Sequence, residues 1–189
     1  MSFLQQPLLV IDTESGGLNP NEHSILSLGA TTLPVRETGD FEVIIREDNV
    51  VTEAEALSVN KMSLDWINEN GKTPSEAVEL FESYLLANFS NQDQPIVVAG
   101  HNTWFDVAFL KRLYRLADRS YPRRLSHRLI DTSSIVQFLR YTGKITLTTG
   151  SSDEVFDYFG IEVLEKDRHT ALGDAKATAH LIETLSEFV

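Results

Sequence analysis

The sequence predicts an α/β protein in which helices flank a mixed central β-sheet. Two continuous apolar runs, at residues 8–11 and 96–99, are typical of strands that are buried on both faces. Segments with apolar residues at helical spacing follow them along the chain. The 189 residues suffice for one well-buried domain and are too few for two, so we expect a single domain over residues 1–189.

The first half of the chain is predicted to supply three strands and two helices. The strands are expected at residues 8–11, 25–33 and 41–45. A turn around Gly39 and Asp40 leads into the third strand, and this spacing favours an antiparallel meander. A short helix is expected within 53–62, and a clearer one opens at Pro74, because proline is favoured in a first helical turn. The predicted buried face of this second helix consists of Val78, Phe81, Leu85 and Leu86.

The second half begins with a strand at 96–99 that ends at Gly100, after which Asn102 or Thr103 can cap a helix. The predicted inward positions of this helix are Phe105, Phe109, Leu113 and Leu116. Its predicted outward positions are Lys111, Arg112, Arg115 and Arg119.

The remaining elements alternate in the same way. They are a brief strand at 128–130, a helix from an Asp131-Thr132 cap to Tyr141, a helix at 153–159 closed by Gly160, and a last helix from near Thr170. The predicted inward positions of the last helix are Ala175, Ala179, Ile182 and Leu185.

The composition excludes several kinds of site. The chain has no cysteine, which rules out disulfides, thiolate metal sites and a cysteine nucleophile. It has no apolar run of about 18 residues that could span a membrane. The N-terminus lacks a basic segment followed by an apolar one, so we expect no secretory signal and a cytoplasmic protein.

The charge is distributed unevenly. The formal net charge is −12, yet residues 111–144 contain nine of the sixteen lysines and arginines and only two acids, Asp118 and Asp131. A local basic strip on an acidic body favours a short, end-directed contact with nucleic acid over a long duplex track. A solvated helix face explains the same strip equally well, so both interpretations stay open.

Three acidic segments carry the chemistry. Asp12 and Glu14 follow a buried strand, and residues two apart in a strand share a face. Asp106 lies in a first helical turn next to a strand tip, which is where open α/β sheets bind ligands. His169 precedes the last helix and Asp174 lies one turn inside it. Each segment alone also fits an acid that favours a helix start or a surface position without any function.

Taken together, the three segments resemble the DnaQ-like 3′–5′ exonucleases of the DEDDh type, in the ribonuclease H-like superfamily. The resemblance runs from about Leu8 to Leu185 and implies a ribonuclease H-like fold. Its secondary landmarks here are Asp131-Thr132, Glu55-Ala56-Leu57 and Phe159-Gly160-Ile161. The residues carried over are the acids Asp12, Glu14, Asp106 and Asp174, and the histidine His169, which indicates the histidine subtype.

Four carboxylates form a hard oxygen site that suits Mg²⁺, or Mn²⁺ as a substitute. The resemblance implies two such ions roughly 4 Å apart, clamping the oxygens of an in-line phosphoryl displacement. It implies that Asp12 bridges the ions, that Glu14 and Asp174 complete one site, and that Asp106 holds the other partly through water. His169 is implied as the general base on the attacking water. The expected products are nucleoside 5′-monophosphates from the 3′ end of single-stranded DNA or RNA.

The resemblance also implies substrate contacts at Ser15, Gly17 and Leu18. The chain departs here from the family's common Thr-Thr-Gly pattern, and we expect the extra Gly16 to loosen the pocket for the terminal nucleotide. Trp104 either offers a stacking face for a base, worth about 1–3 kcal/mol in single-strand binders, or packs in the core. The further candidates are Asn102, Asn60, Lys61 and Met62.

Two other functions remain open at this point. The same fold could act as a non-catalytic nucleic-acid-binding or polymerase-associated module, or as a metal-dependent phosphohydrolase of a small molecule. The sequence does not separate DNA from RNA, nor proofreading and DNA repair from RNA processing. Because the body is acidic, a polymerase or a second copy of the chain is the expected source of any long-range grip.

Overall fold

A computed structural model describes residues 7–36, 39–91 and 93–188. Its strands are β1 (Leu8–Ser15), β2 (Ile25–Leu33), β3 (Phe41–Ile44), β4 (Ile96–Gly100) and β5 (Leu125–Asp131). Its helices are α1 (Ala54–Asn60), α2 (Leu64–Asn70), α3 (Pro74–Asn88), α4 (Thr103–Leu116), α5 (Thr132–Tyr141), α6 (Ser152–Tyr158) and α7 (Ala171–Ser186).

The strands form one mixed sheet in the order β3-β2-β1-β4-β5. β1 and β2 pair antiparallel, as do β2 and β3, which confirms the predicted meander. β4 lies parallel to β1, and β5 lies parallel to β4. β1 is therefore the central strand, and its apolar run is buried because helices cover both faces of the sheet.

The two faces of β1 pack against different helices. Leu9 and Ile11 belong to the core formed with α3 and α4, whereas Leu8 and Val10 pack with α7. Because successive residues of a strand point to opposite faces, Asp12 and Glu14 continue the α7 side. Thr13 lies on the α4 side. At the end of this strand, one face of the sheet therefore presents two carboxylates and the other presents a hydroxyl.

Local sequence explains where the main helices begin. Thr73 and Glu76 form a capping box at the start of α3, with Pro74 in its first turn. Asp131 caps α5 through the backbone N–H of Ser133, as predicted.

The short helix expected within 53–62 is confirmed as α1, which ends at Asn60 because Lys61 is left-handed with φ 55°. Other details of the sequence interpretation are wrong. The interpretation lacked the second helix, α2, which follows a Ser63 cap. β5 begins at Leu125, three residues before the predicted strand. Leu86 is 56% exposed because Tyr84 and Asn88 fill the buried face of α3 in its place.

Two predictions for α4 are also wrong. Leu116 is 42% exposed, because it lies in the last turn beyond the part of the helix that packs on the sheet. Arg112, expected on the outside, is buried against Glu47. Helical spacing could not reveal this, since the partner lies 65 residues away in the chain. Within the described ranges, no helix combines the length and the apolar content needed to cross a bilayer.

Candidate active site

Three carboxylates meet at the end of the central strand. Asp12 and Glu14 come from β1, and Asp174 comes from the first turn of α7. One oxygen of each lies within 4.8 Å of the corresponding oxygens of the other two. The alternation along β1 places both of its acids on the side of the sheet that α7 covers, so the cluster follows from the strand period and the helix position.

A glycine in β2 permits this close approach. Gly29 pairs with Asp12 across the antiparallel ladder. A Cβ at Gly29 would lie 2.1 Å from the carbonyl carbon of Ala171, closer than real atoms approach. The first turn of α7 therefore rests directly on the strand at the one residue without a side chain, which brings Asp174 beside Asp12. Sequence reasoning overlooked Gly29, because a glycine inside a strand pattern has several explanations.

The segment before α7 is folded onto the start of the helix. Thr170 caps α7 by accepting from the backbone N–H of Gly173 at 3.1 Å, and its hydroxyl donates to the Asp167 carbonyl at 2.8 Å. His169 has a left-handed backbone with φ 61° and lines the same cleft as Glu14. The predicted histidine therefore lies at the edge of the carboxylate cluster.

Asp106 reaches the site from the other face of the sheet. It is 3% exposed, and its Oδ1 accepts from the backbone N–H of Thr13 at 2.9 Å and from the Thr13 hydroxyl at 2.8 Å. It lies outside the cluster of three carboxylates that could share one ion. Its charge nevertheless raises the pKa of Asp12, so the two groups are close enough to interact.

The start of α4 is held by a neighbour rather than by its own cap. Asn102, the N-cap residue, has φ 71° and its side chain makes no capping hydrogen bond. Asp131 instead accepts from the backbone N–H of Asn102 at 2.8 Å, in addition to capping its own helix. One carboxylate at the end of β5 thus fixes two helix starts, including the one that carries Asp106.

Burial makes the acidic groups hard to ionise. Burial, followed by the charges of Asp106 and Glu14, raises the pKa of Asp12 well above its ordinary value. Burial and then the charge of Asp174 raise the pKa of Glu14 to about 8. Burial raises the pKa of Asp106 to about 7, although hydrogen bonds from Thr13 oppose the shift. Like charges held this closely are favourable only when a cation joins them.

Arg168 is a site residue that sequence reasoning missed. Its guanidinium pairs with Asp174 and Asp153, donates to the Ser152 hydroxyl at 2.9 Å, and lies 5.2 Å from the centre of the Phe156 ring. Burial raises the pKa of Asp174, and Arg168 opposes that shift. The available clue was the cation directly before His169.

Two cavities open beside the cluster and share Glu14 and Asn60 as a common wall. The smaller has a volume of about 320 Å³, and the larger about 980 Å³. The residues that line the smaller one include the predicted Ser15, Gly17 and Leu18, together with Val59 and Phe105. The residues that line the larger one include His169, Arg168, the predicted Lys61 and Met62, and Trp66, which the sequence interpretation did not single out.

Asn60 forms the partition between the two cavities. It is 5% exposed, its amide donates to the Ser15 carbonyl at 3.2 Å, and its side-chain oxygen accepts from the backbone N–H of Met62 at 3.1 Å. Asn102 and Trp104 line neither cavity. Trp104 is 58% exposed, so the core-packing alternative is wrong and most of its ring faces solvent.

The glycines after Glu14 are tightly packed. A Cβ at Gly16 would lie 2.4 Å from the Val51 carbonyl oxygen, and one at Gly17 would lie 2.4 Å from Nδ1 of His23. The expected loosening of the pocket is therefore wrong, because neighbouring groups occupy the space that side chains would fill.

Much of the basic strip is engaged within the molecule. Arg112 pairs with Glu47, and Arg119 pairs with Glu79 and Glu82. Other strip residues donate to backbone carbonyls, Arg124 to Phe89 and Arg140 to Thr148. These contacts favour the structural interpretation of the strip over a continuous track for nucleic acid.

The sequence model of the exonuclease family RNase_T matches residues 9–182. Ribonuclease T of Wigglesworthia glossinidia brevipalpis is 24% identical over 181 residues, covering 92% of this chain and 81% of the relative. The DNA polymerase III subunit epsilon of Buchnera aphidicola subsp. Baizongia pistaciae is 25% identical over 189 residues, covering 95% of this chain and 71% of the relative.

Among solved structures, the nuclease domain of 3′hExo, a DEDDh family member bound to rAMP, has a similar fold. The TM-score is 0.76 at 15% sequence identity, covering 99% of this chain and 95% of that one. The likeness confirms the predicted ribonuclease H-like architecture, with a mixed sheet between helices.

Proposed function

This chain belongs to the exonuclease family and is an exonuclease of the DEDDh type, and on that premise we propose that it removes nucleotides from the 3′ end of single-stranded nucleic acid. The products are nucleoside 5′-monophosphates. The observation that carries the proposal is the cluster of Asp12, Glu14 and Asp174, whose oxygens lie within 4.8 Å of one another. Asp106 and His169 border the same cluster.

The donor set fits divalent metal ions. It consists of carboxylate oxygens, and burial and mutual repulsion raise the pKa values of Asp12 and Glu14 although Arg168 opposes the shifts, which supports a site for a further cation. Asp12, Glu14 and Asp174 would hold one Mg²⁺ or Mn²⁺, and Asp12 and Asp106 would hold a second. When bound, such ions stabilise the charge that develops on a phosphoryl group during in-line displacement.

His169 is assigned the role of general base. A neutral imidazole has a ring nitrogen that can accept a proton from the attacking water. His169 lines the cleft that also contains Glu14, which supports a position for its ring on the open side of the proposed metal site. The left-handed backbone at His169 belongs to the turn into α7, and this turn fixes the direction in which the side chain leaves the backbone.

The smaller cavity is assigned to the terminal nucleotide. Its volume of about 320 Å³ suits one nucleotide, and Leu18, Val59 and Phe105 give it an apolar lining for a base. The backbone around Ser15 and Gly17 would face the terminal sugar, and Asn60 holds that backbone by its bond to the Ser15 carbonyl. The structure of 3′hExo with rAMP supports a nucleoside monophosphate as the ligand class.

Cleavage of an oligonucleotide tests the proposal. A 5′-labelled single strand, as DNA or RNA, is mixed with the protein and Mg²⁺ or Mn²⁺, and the label should appear in a ladder that shortens from the 3′ end. Asp12→Ala should remain folded and yield no ladder. No shortening of either strand with either metal would refute the proposal, and faster hydrolysis of free mononucleotides would favour a small-molecule phosphohydrolase.

A partner protein is proposed to provide the affinity for longer nucleic-acid strands. The net charge is −12, and several arginines of the basic strip are engaged in internal contacts, so the chain alone offers little attraction for phosphates beyond the 3′ end. A polymerase, as in the epsilon-subunit relative, or a second copy of this chain would supply it in the cytoplasm. Light scattering of the purified chain separates these alternatives, because a monomer excludes the second copy.

A further inference from the structure

A buried ion pair joins α4 to the segment that follows β3. Arg112 is 9% exposed and Glu47 is 5% exposed. The guanidinium donates from Nε to Glu47 Oε1 at 2.9 Å and from Nη2 to Oε2 at 2.5 Å, which is the two-bond geometry of a strong arginine–carboxylate pair. This pair is distinct from the carboxylate cluster and makes no contact that the proposed chemistry requires.

Glu47 is also bonded to the start of β2. Its Oε1 accepts from the backbone N–H of Ile25 at 3.0 Å, and its Oε2 accepts from the Ser24 hydroxyl at 3.0 Å. The Ser24 hydroxyl in turn accepts from the backbone N–H of Val51 at 2.9 Å. The carboxylate is therefore the centre of a network that fixes the end of the segment between β1 and β2.

Arg112 reaches the middle of that same segment. Its Nη1 donates to the Pro20 carbonyl at 3.2 Å. We define the terminal-nucleotide loop as residues 16–24, which connect β1 to β2 and include Gly17 and Leu18. Arg112 thus holds the loop at its midpoint, while its partner Glu47 holds the loop at Ser24.

This support contributes to the position of Leu18. Its side chain is 79% exposed, so packing in the core does not determine where it lies. Its position follows from the backbone of the terminal-nucleotide loop. Arg112 stabilises that backbone through its hydrogen bond to the Pro20 carbonyl.

Helix α4 makes contacts with both the active-site strand and the terminal-nucleotide loop. Asp106 in the first turn of α4 is bonded to Thr13 of β1, and Arg112 lies six residues further on, about 9 Å along the helix axis. One helix therefore fixes the positions of both the carboxylate beside the carboxylate cluster, Asp106, and the loop that carries Leu18.

We propose that Arg112 and Glu47 are positioning residues for the terminal nucleotide, which fix Leu18 relative to the carboxylate cluster; this inference rests on the proposed function. A buried ion pair is often no more stabilising than apolar residues of similar volume, so stability alone does not require one here. Its additional bonds to Pro20, Ser24 and Ile25 give it a geometric role that an apolar pair would not reproduce.

The double variant Glu47→Leu/Arg112→Met tests the proposal. It removes both charges together and so leaves no unpaired ion in the interior. We expect a folded protein whose thermal stabilisation by Mn²⁺ equals that of the wild type, because the three clustered carboxylates are unchanged. The KM for a single-stranded oligonucleotide should rise about tenfold, in the range that loss of an apolar contact produces, with kcat little changed.

A cycle with Leu18 separates positioning from a purely structural role. Leu18→Ala should raise KM in the wild type and have little further effect in the double variant, because the side chain is already misplaced there. Arg119→Met, which breaks two exposed ion pairs just beyond the end of α4, is the control and should leave KM unchanged. If the double variant fails to fold, Glu47→Gln takes its place, since it keeps an acceptor for Ile25 and should give a smaller rise in KM.

The outcomes distinguish the two proposals. A wild type that cuts, with an unchanged KM in the double variant or an equal cost of Leu18→Ala in both backgrounds, overturns the positioning role alone. A wild type that neither cuts nor is stabilised by Mn²⁺ with a nucleoside 5′-monophosphate overturns the proposed function and this inference with it.

Discussion

The molecule buries charge in two places, and the two differ in how that charge is compensated. Arg112 and Glu47 form a complete pair whose hydrogen bonds are satisfied within the fold, and the bonds that Arg112 donates to Glu47 raise the pKa of Arg112 above its ordinary value. Asp12 and Glu14, by contrast, face more acids than cations, and burial and repulsion raise their pKa values although Arg168 opposes the shifts. Satisfied charge indicates a structural or positioning role, whereas unsatisfied charge of one sign indicates a place for a ligand.

The largest expected effect distinguishes catalysis from metal binding inside the carboxylate site. His169→Ala should lower kcat by about 10²–10⁴-fold, the range for loss of a general base. Stabilisation by Mn²⁺ should persist, because the carboxylates of Asp12, Glu14 and Asp174 remain. Steady-state cleavage and thermal unfolding measure the two effects, and an unchanged kcat would remove His169 from the proposed chemistry.

Breaking the satisfied pair should cost stability rather than metal binding. Arg112→Met leaves Glu47 buried without its partner, which should lower the free energy of unfolding by about 3–5 kcal/mol. Arg119→Met is the matched control, because its pairs with Glu79 and Glu82 are exposed and should be worth less than about 1 kcal/mol. Urea unfolding compares the two variants, and equal losses would contradict the distinction between buried and exposed pairs.

Gly29→Ala tests how the two elements of the carboxylate site are brought together. The new Cβ would overlap the backbone of Ala171, so the start of α7 must shift, at a cost of about 1–3 kcal/mol. Because Asp174 moves with the helix, stabilisation by Mn²⁺ should also weaken. Gly143→Ala is the control: it strains a backbone with φ 71° but meets no atom within 4 Å, so the response to Mn²⁺ should be retained.

The last expected effect is on the pH dependence of stability. In the folded protein the pKa of Glu14 is raised from 4.5 to about 8, so between these values the folded state binds more protons than the unfolded state. The free energy of unfolding of the metal-free protein should therefore fall as pH rises from about 5 to 8. Added Mn²⁺ should reverse that loss, since metal binding requires ionised carboxylates. Thermal unfolding at several pH values, in EDTA and in Mn²⁺, measures this dependence. A metal-free stability that rises with pH would contradict the raised pKa of Glu14.

The parts of the fold that depend on local pattern could be predicted from the sequence. The apolar runs gave the central strands, and Pro74, Asp131 and Thr170 marked helix starts through their capping chemistry. The strand period also placed Asp12 and Glu14 on one face, which is how the structure presents them.

The parts that depend on distant contacts could not be predicted. Arg112 looks like an outward residue by helical spacing, and only Glu47, far away in the chain, explains its burial. In the sequence, Gly29 is an ordinary glycine within a strand pattern. Only the packing of α7 against it explains why a side chain is excluded there. Trp66 was missed for another reason, since α2 is a short helix in a polar stretch with little apolar periodicity.

Anomalous diffraction from crystals grown with Mn²⁺ and a nucleoside 5′-monophosphate tests the central claim most directly. We expect a metal peak between Asp12, Glu14 and Asp174, with the phosphate of the nucleotide on the metal and the base beside Leu18. Metal bound elsewhere, or a nucleotide seated away from these carboxylates, would contradict it.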